Sequence, residues 1–319
     1  MIDAQNNTTT LYSYQNGIGA NTEAILNRTL RHILYGDLYV NGGNGGNGGN
    51  GGNGGEIPSN EMHFTTLAGS VNYVGTEGDR ILLSNNSIVD ITATDERVTF
   101  NAPSGKHKVK LVESVGRSSY VSVGGEALVE LHNFPTLSTV TKFNFAGSIF
   151  NPLPNLTKVP DFFPSNITNI EYLFSEATNF NQTLNNWNVS NVTNMYGMFR
   201  GASAFNQTLN NWNVSNVTDM SYMFAYTTSF NQDLNNWNVS NVTNMRFMFN
   251  NVTSFNQPLN NWNVSNVTDM LGMFYNTTSF NQPLNNWNVS NVTNMSYMFY
   301  AASAFNQTLN NWNVSNVTD

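Results

Sequence analysis

A 25-residue unit recurs almost letter for letter through residues 181–319, and it constrains the fold more than any other feature of the chain. All six tryptophans lie on it: Trp187, Trp212, Trp237, Trp262, Trp287 and Trp312. Each sits in the string L-N-N-W-N-V-S-N-V-T, followed by Asn or Asp, and in all but the last copy by M-x-x-M-F. A fixed period of this size is the signature of a solenoid. Each unit buries its apolar face only by stacking on its neighbours, so the tryptophans are expected to form a solenoid core. Such an array is more often a scaffold or binding surface than a catalyst.

Within one unit, Leu209, Trp212, Val214 and Val217 are the apolar positions of an extended stretch. Met220, Met223 and Phe224 follow at i, i+3, i+4, which predicts one face of a short helix. Asp219 falls in that helix's first turn, where a carboxylate is favoured by unpaired N–H groups. Stacked stretches then form a parallel sheet with a spacing of ~4.8 Å. The residue after the second Thr alternates along the array as Asn194, Asp219, Asn244, Asp269, Asn294 and Asp319. An all-Asp column would bring like charges together, and alternation with Asn doubles the distance between them.

Residues 1–40 carry a segment that Asn21 or Thr22 can cap and Gly36 can end. Its apolar residues Ile25, Leu26, Leu30, Ile33 and Leu34 fall on one side, predicting an amphipathic helix that anchors the chain to a larger assembly. Residues 41–55 are five copies of N-G-G, a flexible linker about 20 Å end to end. Residues 56–133 are expected to form a small β-sandwich adaptor. Ser87–Ala93, Arg97–Asn101, Lys108–Glu113, Tyr120–Val123 and Ala127–Leu131 show strand patterns. Residues 134–180 repeat the unit in degenerate form, with Phe162 in the tryptophan's place and Pro152, Pro154, Pro160 and Pro164 suited to a cap.

Composition excludes several classes of function. The net charge is −8, against the clustered Lys and Arg that nucleic acid requires. Within 181–319 the charged residues are Arg200, Arg246 and four Asp, too few to build a catalytic site. Lys106, Lys108 and Lys110 share one strand face, which reads as a solvated surface rather than an anion site. There is no cysteine, and His63, His107 and His132 lack metal-ligand spacing, so no metal and no cofactor are expected. No run is long and apolar enough for a membrane span. The N-V-S and N-V-T triplets match a glycosylation signal and read as structural coincidence.

The string F-N-Q-x-L-N-N-W-N-V-S-N-V-T-x-M-x-x-M-F, as in Phe205–Phe224, resembles the bacterial BspA-like family of leucine-rich-repeat surface proteins in its 25-residue variety. The likeness covers 180–319 and, weakly, 134–180. It implies a leucine-rich-repeat-like solenoid and a surface role, often adhesion, on bacterial surfaces or in large viruses and phages. The chain departs from the family's cell-surface members: M-I-D-A-Q-N-N-T-T-T has no basic start or apolar core, and no cysteine is present to carry a lipid. The expected fold is therefore mainly β with short helices. A leucine-rich-repeat-like solenoid, built of a parallel strand ladder plus short helices, follows the β-sandwich and the N-terminal helix.

Positions that vary between units are free of the repeat's packing. They include Tyr196, Arg200, Ser221, Tyr222, Tyr226, Arg246, Phe247, Leu271, Tyr275, Tyr297 and Tyr300, and they are expected to face outward on the helical side. Tyr, Phe and Arg are the residues that anchor interfaces. Rigid aromatics of this kind can hold a glycan or a protein, which makes Tyr196, Arg200, Tyr222, Tyr226, Arg246, Phe247, Tyr275, Tyr297 and Tyr300 the candidate ligand-binding set. The opposite surface is uniform Asn, Ser and Thr, whose ladders also suit an ice-binding solenoid. The last unit stops at V-T-D and leaves an open face, so a longer natural chain or a covering molecule is expected.

The functional expectation is a non-enzymatic virion surface protein, a fibre or decoration, for host attachment or particle-surface stabilisation. Its partners would be other virion proteins at the N-terminal segment and a host-surface protein or glycan at the solenoid, with assembly as a trimer an option. A bacterial cell-surface adhesin is the alternative.

Overall fold

The computed structural model describes residues 60–111, 119–135, 138–145 and 153–319. The expected anchoring helix with Ile25, Leu26, Leu30, Ile33 and Leu34, and the N-G-G linker, lie outside the described residues.

Nine strands come first. They are β1 (Glu61–Thr66), β2 (Gly69–Val74), β3 (Arg80–Leu82), β4 (Ile88–Asp90), β5 (Val98–Ala102), β6 (Gly105–Lys110), β7 (Tyr120–Gly124), β8 (Leu128–Leu131) and β9 (Lys142–Asn144). One sheet runs β4-β3-β6-β1-β8 and a second runs β5-β2-β7-β9. Alternation explains both. Met62 and Phe64 of β1, Ile81 of β3 and Val109 of β6 are fully buried, as are Val71, Tyr73, Val121 and Val123 from the second sheet. Between them on β6, Lys106 is exposed and Lys108 and Lys110 are half-buried on the opposite face.

The repeats continue the second sheet one residue at a time. Strand β9 pairs in parallel with β7, Lys142 of β9 bridges Asn169, and single parallel bridges then link Asn169, Asn194, Asp219, Asn244, Asp269 and Asn294 in turn. One apolar core runs from Met62 to Met298 through both regions. In the unit from Leu209, the residues Leu209, Trp212, Val214, Val217, Met220, Met223, Phe224 and Phe230 are all buried. The tryptophan rings lie nearly parallel, with centroids 6.4 Å apart for Trp187–Trp212 and Trp212–Trp237. From Trp212 onward each indole N–H donates to a leucine carbonyl of the preceding coil, as Trp212 Nε1 does to Leu184 O at 2.8 Å, and that of Trp187 donates to Pro160 O at 2.9 Å. A buried donor is thus paired in every coil.

The expected leucine-rich-repeat solenoid with short helices is not what forms. The described residues contain no helix, and the expected strand ladder is reduced to one bridging residue per coil. The hydrogen bonds give the reason. Along Met220–Thr227 the N–H groups of Met223, Ala225 and Thr227 close tight turns onto the carbonyls of Met220, Tyr222 and Phe224. Those of Met220, Tyr222, Phe224 and Tyr226 point instead to Asn244, Arg246, Met248 and Asn250 of the next coil. A helix would spend all of these within the segment. Upstream, Trp212 N and Val217 N also close short turns, onto Leu209 O and Val214 O, so no long strand can form there.

Asp219 likewise does not sit in a helix's first turn. Its Oδ1 accepts from the Ser221 N–H at 2.8 Å, an Asx turn that starts the run of tight turns, and Asn194, Asn244, Asp269 and Asn294 do the same. In the degenerate coil the tryptophan's place is taken by Phe163, whose ring stacks on Trp187 at 4.9 Å, whereas Phe162 is half exposed.

Candidate functional site

The first and last of the three tight turns in each coil hold a left-handed residue at their third position. In successive coils the first such position holds Tyr172, Gly197, Tyr222, Phe247, Gly272 and Tyr297, and the second holds Glu176, Gly201, Tyr226, Asn251, Asn276 and Ala301. All have φ between 52° and 72°. Such a conformation is free for glycine and tolerated by Asn, but costs other residues ~1–2 kcal/mol. Five aromatic side chains hold it nonetheless: Tyr172, and the four of Tyr222, Tyr226, Phe247 and Tyr297.

Those four lie together. A groove of about 630 Å³ is lined by Arg200, Tyr222, Tyr226, Phe247, Asn250, Tyr275, Tyr297 and Tyr300. It crosses five consecutive coils on the tight-turn side of the stack. Tyr275 and Tyr300 stack at 4.9 Å with an interplanar angle of 20°. Tyr297 stands at 81° to Tyr300, forming a corner. Tyr222 lies against Phe247 at 5.1 Å. Arg200 sits over the Tyr226 ring at 5.6 Å while its Nη1 donates to Glu176 Oε1 at 2.6 Å, so its charge is balanced. Burial pushes the Tyr222 hydroxyl pKa up against the lowering effect of Arg246, which keeps the hydroxyl a neutral donor.

The groove collects most of the residues singled out in the sequence. Tyr196 and Arg246 stand apart from its lining: Tyr196 is sandwiched between Tyr172 and Tyr222, and Arg246 covers the Phe247 ring. Burial, followed by a hydrogen bond with Tyr172, pushes the Tyr196 hydroxyl up to about 12. Ser221 does not face outward; it is buried, with its hydroxyl donating to Asp219. Asn250 was not anticipated. It shares a column with Ala225, Tyr275 and Tyr300 but is itself buried, and the neighbouring residues give no hint of a polar group there.

A model of the family described as "Mycoplasma protein of unknown function, DUF285" matches residues 147–257 and 232–319, together more than half of the chain. The chain belongs to the DUF285 family. The match is consistent with the likeness to BspA-like surface repeat proteins, and DUF285 itself carries no assigned activity or ligand. No curated protein and no solved structure matches the chain.

Many of the polar side chains of the described repeats hold coils together. Thr218, Thr243, Thr268, Thr293 and Thr318 each donate a hydroxyl to the equivalent Thr carbonyl one coil back at 3.2 Å. Asn216, Asn241, Asn266 and Asn291, all within N-V-T triplets, donate side-chain amides to Ser carbonyls of the preceding coil at 2.7 Å. Among the described residues no group of three or more His, Asp or Glu could hold a metal ion, and no helix is long and apolar enough to cross a membrane. The histidines serve local roles: His63 contacts Glu61 at 3.0 Å and His132 contacts Thr65 at 2.7 Å.

Proposed function

We propose that this DUF285 protein is a non-enzymatic attachment protein displayed on a virion surface, its N-terminal segment engaging other virion proteins and its repeat stack presenting the aromatic groove to a host-surface ligand. The observation that carries the reading is the groove's backbone. Tyr222, Tyr226, Phe247 and Tyr297 occupy left-handed positions where Gly197, Gly201 and Gly272 serve equally well in other coils. Conformational strain of this kind persists where the surroundings hold it, and clusters at binding sites. Tyr172, Glu176 and Ala301 hold the same conformation outside the groove, so it is the gathering of four such aromatic side chains in one lining that favours binding over drift.

Asp219, Asp233 and Asp269 each accept a backbone N–H two residues on, within their own turns. A bacterial cell-surface adhesin, consistent with the family resemblance, is the second reading.

Immunogold electron microscopy with an antibody against residues 180–319 tests the site of display. Label on particle exteriors is expected; label on cell envelopes with bare particles would replace the virion by the cell surface. Purified chain is expected to compete with labelled particles for attachment to host cells, and a chain carrying Tyr275→Ala and Tyr300→Ala is not.

A further inference from the structure

We infer that the groove takes a tyrosine side chain of a partner protein, inserted between coils with its ring on Tyr275 and its phenol oxygen on the Asn250 amide. This deepens the reading of the groove as an attachment surface and rests on it. The column down the middle of the groove holds one residue per coil: Arg200, Ala225, Asn250, Tyr275 and Tyr300. Tyr275 and Tyr300 stack along the axis at 4.9 Å. One coil back the column holds Asn250 and then Ala225, so the stack of rings is interrupted. Among the described residues Tyr300 is the one ring contact of Tyr275, and the opposite face of Tyr275 meets none. That face lies inside the stack, with a whole coil beyond it. A ring entering from the side, across the stack axis, can cover it one coil spacing away, ~4.8 Å, a separation that aromatic pairs favour.

Asn250 points to the same occupant independently. It is only 6% exposed. Its Oδ1 accepts from Asn251 Nδ2, but among the described residues nothing accepts from its own Nδ2. That nitrogen opens on the groove, which Asn250 lines. Buried donors are normally paired, and a phenol oxygen is an acceptor that can meet this one.

The surroundings select the ligand. The neighbouring columns bring Tyr222 with Phe247 on one flank and Tyr226 on the other. A flat apolar body with one acceptor at its tip suits such a slot. A pyranose, with hydroxyls all round its edge, would leave most of them unpaired. Arg200 is the one charged residue of the lining, and Glu176 holds it at 2.6 Å. A phosphorylated or sulfated ring therefore finds no free cation, and the plain phenol is favoured. Tyrosine is also among the residues that most often anchor interfaces.

The test is an NMR titration of the intact, isotope-labelled chain with N-acetyl-tyrosinamide, run in parallel with N-acetyl-phenylalaninamide. The Asn250 side-chain amide signals should shift and saturate with the tyrosine probe, which should bind about threefold to tenfold tighter than the phenylalanine probe. Asn250→Ala, a residue the column already accepts at Ala225, should erase that preference and leave the affinity for the phenylalanine probe unchanged. Asn250→Tyr, the residue the column holds at Tyr275, should fill the slot and abolish binding of both probes without lowering the melting temperature. No shift at Asn250 up to the solubility of the probe, equal affinity for the two probes, or undiminished binding to Asn250→Tyr would overturn the inference. Self-association in sedimentation that Asn250→Tyr abolishes would also overturn it, since the occupant would then be a second copy of the chain. Attachment that still depends on Tyr275 and Tyr300 without any tyrosine binding would sink this inference alone. Competition that survives Tyr275→Ala with Tyr300→Ala would sink the reading beneath it.

Discussion

The Phe247 ring lies across Gly272 of the next coil so closely that a Cβ on that glycine would meet Phe247 Cε1 at 2.1 Å. Gly272 also holds φ +58°, so any side chain there adds backbone strain to a ring clash. Gly272→Ala is expected to lower stability by about 2 kcal/mol or more, read by urea unfolding of the intact chain. Tyr297, one coil further at the same repeat position, has φ 57° and a ring that is 64% exposed. Tyr297→Gly should therefore stay within about 1 kcal/mol of the parent, since relief of strain offsets the lost ring contact. A silent Gly272→Ala would mean that the ring does not rest on the glycine.

The alternating polar column gives a second outcome. Asn244 bridges Asp219 on one side and Asp269 on the other. Asn244→Asp places three carboxylates in consecutive coils, ~4.8 Å apart. It preserves the Asx turn, because Asp219 accepts the Ser221 N–H just as Asn244 accepts that of Arg246. The remaining effect is repulsion, of about 0.5–1 kcal/mol, and it should shrink as salt is added. Equal losses of melting temperature at low and high salt would remove repulsion as the reason for the alternation.

Trp262 supports the stack through its indole N–H as well as its bulk. Its Nε1 donates to Leu234 O at 2.8 Å in the buried core. Trp262→Phe removes one of the two donors to that carbonyl, which keeps the Trp237 N–H at 3.0 Å, for a loss of roughly 0.5–1.5 kcal/mol before any cavity is counted. Trp312→Phe should cost less, since Trp312 is only partly buried. Equal losses at the two sites in chemical denaturation would refute the account.

What the sequence made legible was burial, and what it hid was backbone conformation. Leu209, Trp212, Val214, Met220, Met223 and Phe224 recur in every full unit because each is packed, and the structure buries all of them. Their i, i+3, i+4 spacing read as a helix, yet tandem tight turns bury the same positions. The distinguishing signal was present in Gly197, Gly201, Gly272, Asn251 and Asn276, residue types that accept left-handed φ, at the repeat positions also held by Tyr222 and Tyr226. Aromatics at those positions masked it. The expected strand patterns at Ser87–Ala93, Arg97–Asn101, Lys108–Glu113, Tyr120–Val123 and Ala127–Leu131 meet β4, β5, β6, β7 and β8 within a few residues. β1, β2, β3 and β9 were missed, the last because three residues paired in parallel leave too short a pattern. The groove's tyrosines stood out by varying where the core did not; Asn250, buried beside them, had no such mark.

The last expectation concerns acid. His107 on β6 is buried; its Nδ1 accepts the Ser84 N–H at 3.0 Å and its Nε2 lies 2.7 Å from Thr66 Oγ1. The Thr66 hydroxyl donates to Pro103 O at 3.0 Å, so its oxygen is left to accept from Nε2–H and the ring is neutral. Burial lowers the His107 pKa below its ordinary 6.5, with the Pro103 carbonyl opposing in part. Below about pH 6.5 the unfolded chain then binds a proton that the native ring refuses. Stability should be level in this term above that pH and decline as the pH falls through it. His132, also lowered chiefly by burial, adds to the same decline, so the two must be separated by site. NMR titration of the His107 Cε1 resonance is expected to give a midpoint below 6.5. A midpoint at or above that value would mean the ring is charged in the folded state, and would break the Ser84–His107–Thr66 arrangement as described.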